Sequence, residues 1–175
     1  MKYLVPAYAL STQFGKISLR IEDDHVVALR IIRSGKNDCS DFIGGQRGQS
    51  LPALVEGELR EYFEGQRTSF SFPIHCRGTA FERQIWNIVS SIPYGAIVPY
   101  QSVAMKLGAG RASVEDVRIA IEKNPIAIAI PCHRVRLPTG SCANEISEQR
   151  IALRALERGG ERKDAIVDFL PINPR

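Results

Sequence analysis

A thiol and an imidazole stand side by side in Pro131-Cys132-His133-Arg134-Val135, at the end of the apolar run Ile126-Ala127-Ile128-Ala129-Ile130. A run of that composition belongs in a core, so it carries both reactive groups out of the interior together. A free cysteine titrates near ~8.5 and attacks as the thiolate, so a nucleophilic role requires a partner that accepts its proton or stabilises the anion. His133 and Arg134 are the candidates. Neighbouring residues rarely hydrogen-bond side chain to side chain, which has His133 acting on Cys132 through a bridging water. A third group then orients the ring, and Glu157 is a candidate for it. Without such partners Cys132 is a small buried hydrophobe.

The elements that must position this pentapeptide follow from length, composition and periodicity. The chain has 175 residues, 44% hydrophobic and 24% charged. That is enough for one ordinary domain or two small ones with a real core, and it excludes a disordered tail or a fibre. Residues 15–21 and 25–32 read as extended segments separated by Glu22-Asp23-Asp24, and a polar, glycine-rich loop follows near residues 34–50. A helix is expected over 50–63, with Leu51, Leu54, Val55, Leu59 and Tyr62 on its apolar side and Gly65 as its stop, then a brief strand over 69–72. Pro73 to Gly78 is a connector. The expected fold is an α/β N-terminal domain (small sheet plus helix), residues 1–76, followed by a mostly helical C-terminal domain, residues 77–175.

In the second domain Phe81, Ile85, Ile88, Val89 and Ile92 recur at helical spacing, with Trp86 beside them. Ile92-Pro93-Tyr94-Gly95 breaks that helix, and a short one is expected over 100–107, closed by Gly108. Ser113-Val114-Glu115-Asp116 matches a capping box and opens another, with Val114, Val117 and Ile121 on its apolar face and Pro125 as its limit. Two short helices joined by a glycine-containing turn are the sequence form of a helix-turn-helix, whose second helix can enter a DNA groove. The charge is placed to suit that reading. The net charge is +4, and between residues 77 and 136 eight basic residues stand against four acidic ones, while the flanking segments are balanced.

No apolar stretch approaches the ~20 residues of a membrane span and no leader-like core opens the chain, so a soluble cytoplasmic protein is expected, nuclear in a eukaryote. Cys39, Cys76, Cys132 and Cys142 are too sparse for a disulfide scaffold. His25, Cys39, His75 and Cys76 offer soft ligands without paired C-x-x-C spacing, so no metal is expected. Gly44-Gly45 and Gly159-Gly160 lack the spacing of a phosphate cradle.

Pro131-Cys132-His133-Arg134-Val135 resembles the active-site motif of the O(6)-alkylguanine-DNA alkyltransferases, also called methylated-DNA-protein-cysteine methyltransferases. The resemblance runs along nearly the whole chain: Glu58 to Gly65, Gly78-Thr79-Ala80-Phe81, Ile85-Trp86, Ile92-Pro93-Tyr94-Gly95, Tyr100, Asn124-Pro125 and Arg154-Ala155-Leu156-Glu157 fall in the family's order and spacing. It implies stoichiometric repair without a cofactor. An O(6)-alkylguanine, or as a further substrate an O(4)-alkylthymine, is flipped out of double-stranded DNA, and its alkyl group passes irreversibly to the cysteine of a monomeric protein. By resemblance Cys132 is the acceptor, His133 the water-mediated base and Glu157 the carboxylate holding the imidazole. Asn124 hydrogen-bonds across the helix pair and the active-site segment. Tyr100 rotates the target phosphate and donates a proton to the departing guanine. Tyr100, Gln101, Ser102, Arg111, Ser113, Arg118, Lys123 and Arg134 are the implied DNA contacts.

Two positions depart from the family. Glu115 stands where the family usually has an arginine that fills the gap left by the flipped base, with Arg118 or Arg111 as substitutes. Glu145, in Ser141 to Ser147, falls near an expected aromatic residue of the alkyl pocket. These departures leave a second function open, a non-enzymatic sensor that binds alkylated DNA, and they predict a shallow salt dependence of binding.

Overall fold

The computed structural model describes residues 7–12, 15–32, 50–108, 113–136 and 148–159. The polar loop near 34–50, apart from Ser50 itself, and Arg111, Cys39, Cys142 and Glu145 lie outside them. The chain divides into two compact units, one of Met1–Arg77 with Pro125–Ala129 and one of Gly78–Asn124 with Ile130–Arg175.

The first unit holds an antiparallel meander of β1 (Ala7–Thr12), β2 (Gly15–Glu22) and β3 (His25–Ile32) in the order β1-β2-β3. Alternation explains β2: Ile17, Leu19 and Ile21 are buried while Arg20 is exposed. Asp23 and Asp24 both take positive φ, 48° and 55°. A two-residue hairpin loop matched to strand twist needs that conformation, and aspartate tolerates it. The outer edge of β3 also receives two distant segments. His75 and Pro73 bond to Val26, while Ala127 N donates to Leu29 O at 2.8 Å and Leu29 N to Pro125 O at 2.9 Å. This pairing is why Pro125–Ala129 joins the first unit.

Helix α1 (Ser50–Phe63) buries Val55, Leu59 and Tyr62, an i, i+4, i+7 row. Leu54, expected on that side, is exposed. The strand expected over 69–72 does not form. Ser71 N donates to the buried Glu58 carboxylate at 2.8 Å, so that amide caps a side chain instead of joining a ladder. Tyr62, Phe70 and Phe72 form a row of mutually tilted rings, with Tyr62–Phe70 centroids 5.3 Å and Phe70–Phe72 centroids 5.2 Å apart.

The second unit is built from α2 (Ala80–Ser90), β4 (Val98–Pro99), α3 (Tyr100–Leu107), α4 (Val114–Glu122), a 3-10 turn (Cys132–Arg134), β5 (Val135–Arg136) and α5 (Glu148–Glu157). Helices α2, α3 and α4 pack on one another. Ile85, Trp86 and Val89 carry the buried stripe of α2, Ile92 is buried just past its end, and Trp86 Nε1 donates to Ala120 O of α4 at 2.9 Å. A Cβ on Gly78 would come within 2.6 Å of the Trp86 ring, so only glycine fits there. Capping boxes start both α2, from Thr79 and Glu82, and α4, from Ser113 and Asp116. Among the described residues no helix is long and apolar enough to cross a membrane.

Candidate active site

Cys132, half-buried, opens the 3-10 turn, and Val135 and Arg136 pair in parallel with Val98 and Pro99. That pairing sets the start of α3, with Tyr100, beside the turn. Asn124 Nδ2 donates to Ile130 O at 2.9 Å, tying the end of α4 to the approach to Cys132. Ile128, on that approach, has φ 72°, an uncommon and strained conformation for a β-branched residue.

His133 is 1% exposed, and its Nε2 lies 2.7 Å from Glu157 Oε1. The carboxylate is saturated with donors. Arg134 Nε reaches Oε2 at 2.9 Å and Arg134 Nη2 reaches Oε1 at 2.8 Å, while Gly95 N donates to Oε2 at 3.0 Å. Burial alone would raise the Glu157 pKa, but the His133 and Arg134 hydrogen bonds outweigh it and hold the carboxyl well below the usual range. An ionised carboxylate requires Nε2 to carry the proton toward it, which leaves Nδ1 as the acceptor nitrogen. Burial also pushes the His133 pKa down; Glu157 pulls it up, and Arg134 and Arg154 oppose that pull. Burial is the largest of these influences, so the imidazole is held toward its neutral form. The arrangement is a thiol followed by a neutral, oriented imidazole, which suits proton removal from a nucleophile.

Other expected site residues fall elsewhere. Arg134, expected against DNA, is buried: besides Glu157 it donates through Nη1 to Ile92 O at 2.6 Å, and its guanidinium lies 5.6 Å from the Tyr94 ring centroid. A guanidinium held on all sides by protein is unavailable to phosphate. Tyr100 is fully buried at the start of α3. Gln101 and Ser102 are half-buried on α3, and the Ser113 hydroxyl serves the α4 cap. Lys123 is exposed but pairs with Glu82 at 2.9 Å. Arg118 forks onto Glu115 at 2.6 and 2.9 Å and also bonds Glu122. Among the described residues no group of three or more His, Cys, Asp and Glu is placed to hold a metal ion.

The family described as "6-O-methylguanine DNA methyltransferase, DNA binding domain" matches residues 80–160. The constitutive methylated-DNA–protein-cysteine methyltransferase of Bacillus subtilis is 32% identical over 126 residues, 71% of this chain and 76% of that one. The chain belongs to the methylated-DNA–protein-cysteine methyltransferase family. A Methanosarcina acetivorans member is 41% identical over 105 residues, covering 54% of this chain and 67% of its own. Among solved structures, the Mycobacterium tuberculosis O6-methylguanine methyltransferase aligns with TM-score 0.76 and 27% identity, over 91% of this chain and 96% of its own. A structure of Mycobacterium tuberculosis OGT in complex with DNA aligns with TM-score 0.74 and 28% identity, over 89% and 94%.

Within this family framework the structure adds two residues that sequence reasoning had not given a role. Tyr94 lies under the Arg134 guanidinium. Arg154 donates to the backbone carbonyls of His133 and Val135, the latter at 2.7 Å. A signal for Arg154 was present, because it precedes Glu157 by three residues on α5 and so shares its helix face.

Proposed function

We infer that the chain repairs DNA by moving an alkyl group, once and irreversibly, from O(6) of guanine to Cys132. The observation that carries this reading is the buried His133–Glu157 pair at 2.7 Å directly after the cysteine, in a chain of this family. The Cys132 proton passes through water to His133 Nδ1. The sulfur attacks the alkyl carbon, the C–S bond forms as the C–O bond breaks, and the departing guanine takes up a proton, for which the Tyr100 hydroxyl is the donor. Asn124 holds the end of α4 against the segment that delivers Cys132. No step needs a cofactor. The unit of Gly78–Asn124 with Ile130–Arg175, rather than the whole of 77–175, is the DNA-binding and alkyl-acceptor domain, with α3 and α4 as a helix-turn-helix docking a monomer on double-stranded DNA through Gln101, Ser102, Arg111, Ser113, Arg118 and Lys123.

The test is a short duplex containing O(6)-methylguanine followed by intact and peptide mass. Transfer adds one methyl group, on Cys132, and stops at one per chain. Binding without added mass identifies a sensor of alkylated DNA, and loss of both removes the DNA assignment.

The α4 charges make a separate prediction. Arg118 is engaged by Glu115 and Glu122, so it offers little free charge to phosphate. Glu115→Gln is expected to tighten duplex binding and to steepen the log K against log salt slope by about one phosphate contact. Equal slopes for variant and wild type, measured by titration at several salt concentrations, would show that Arg118 does not reach the backbone.

A further inference from the structure

We propose that Arg154 is a positioning residue that clamps, from α5, the backbone turn carrying Cys132 and His133 and fixes their mutual geometry. The turn's own hydrogen bonds use Pro131 O, bonded by Arg134 N at 2.9 Å, and Cys132 O, bonded by Val135 N. His133 O is left for a donor from outside the turn, and Arg154 Nε supplies it while Nη2 takes Val135 O at 2.7 Å. The two carbonyls flank Arg134, and a planar guanidinium spans such a pair where a lysine ammonium presents a single point.

Glu157, one turn further along the same face, holds the side chains of His133 and Arg134. Helix α5 therefore grips the turn twice, by main chain through Arg154 and by side chain through Glu157. On the other side the turn is tied by the β4–β5 pair and by Asn124 on Ile130 O, so the turn persists without Arg154 but loses a restraint on its middle. Among the described residues, the charged and titratable groups around His133 include Glu157 and Arg134 at Nε2, Cys132 before it, Tyr94 beyond Arg134, and Arg154 at its carbonyl. The Arg154 charge adds to burial in keeping the imidazole neutral.

This inference rests on the alkyl-transfer reading, and its test separates the two. Full-length Arg154→Leu and Arg154→Lys are compared with wild type by single-turnover transfer from O(6)-methylguanine duplex, by duplex Kd and by NMR titration of the His133 ring. The chain has three histidines and one tryptophan, so ring signals are assignable and Trp86 emission reports an intact fold. Arg154→Leu is expected to slow transfer by on the order of tenfold or more at unchanged Kd, and to move the His133 titration to higher pH. Arg154→Lys, keeping the cation but not the fork, is expected to titrate like wild type and still transfer more slowly. A folded Arg154→Leu with wild-type rate and titration overturns the proposal. Should that variant not fold, a wild-type rate in Arg154→Lys overturns it. A wild-type chain that transfers nothing sinks the alkyl-transfer reading, and the His133 titration then decides the role of Arg154 alone.

Discussion

His133→Gln is expected to transfer the methyl group on the order of 10²–10⁴-fold more slowly than the unaltered chain, and Cys132→Ala not at all, with duplex affinity unchanged in both. Glutamine can still donate an amide N–H to Glu157, so orientation and packing survive while the proton acceptor is lost. The effect thus isolates the base. Single-turnover mass measurement gives the rate, and a His133→Gln chain reacting at wild-type speed would remove the imidazole from the mechanism. The pH profile carries the same information. With the His133 pKa pushed down by burial, the ring remains an acceptor in mildly acid solution, so the acid limb of the wild-type rate is expected below the ordinary histidine value of ~6.5. In His133→Gln that limb is absent.

The placing of the Cys132 thiol beside a buried imidazole was legible in the sequence because the two residues are contiguous and the apolar run before them announces burial. The Ser113 capping box was legible for a similar reason, since Ser113 and Asp116 satisfy each other within one turn. What escaped depends on partners far along the chain. Arg134 reads as a DNA contact by residue type and by its place in a basic segment; only the fold brings Glu157 and Ile92 O around it. Arg118 reads as a free cation until Glu115 and Glu122 are seen on the same exposed face. Ser69 to Phe72 has the composition of a strand, yet Glu58 claims the Ser71 amide. Strand β1 lacks a strong alternation in Ala7-Tyr8-Ala9-Leu10 and exists through its register with β2, Tyr8 opposite Leu19 and Leu10 opposite Ile17. Pro125–Ala129 follows directly on α4 in sequence but pairs with β3, a connection that no local pattern encodes.

Glu157→Leu is expected to cost about 3–5 kcal/mol of stability, because it strands the buried Arg134 guanidinium and strips His133 of its orienting carboxylate. Arg134→Met in the same background should recover a large part of that loss, since replacing both members of a buried pair by apolar groups removes the unpaired charge. Transfer should not recover with it, because His133 still lacks Glu157. Denaturant melts and single-turnover rates on the single and double variants therefore separate a structural ion pair from a chemical one, and parallel recovery of stability and rate would deny Glu157 its part in catalysis. The pH dependence follows with a definite sign. Both native pKa values are depressed, so each group contributes stability above its unfolded value and loses it as pH falls. The His133 share goes first, below ~6.5, and the Glu157 share below ~4.3. The stability gap between wild type and Glu157→Leu should accordingly be widest near neutral pH and narrow as the pH drops below about 4. A gap that stays constant through pH 3 would mean that the carboxylate charge is not what holds Arg134 and His133 in place.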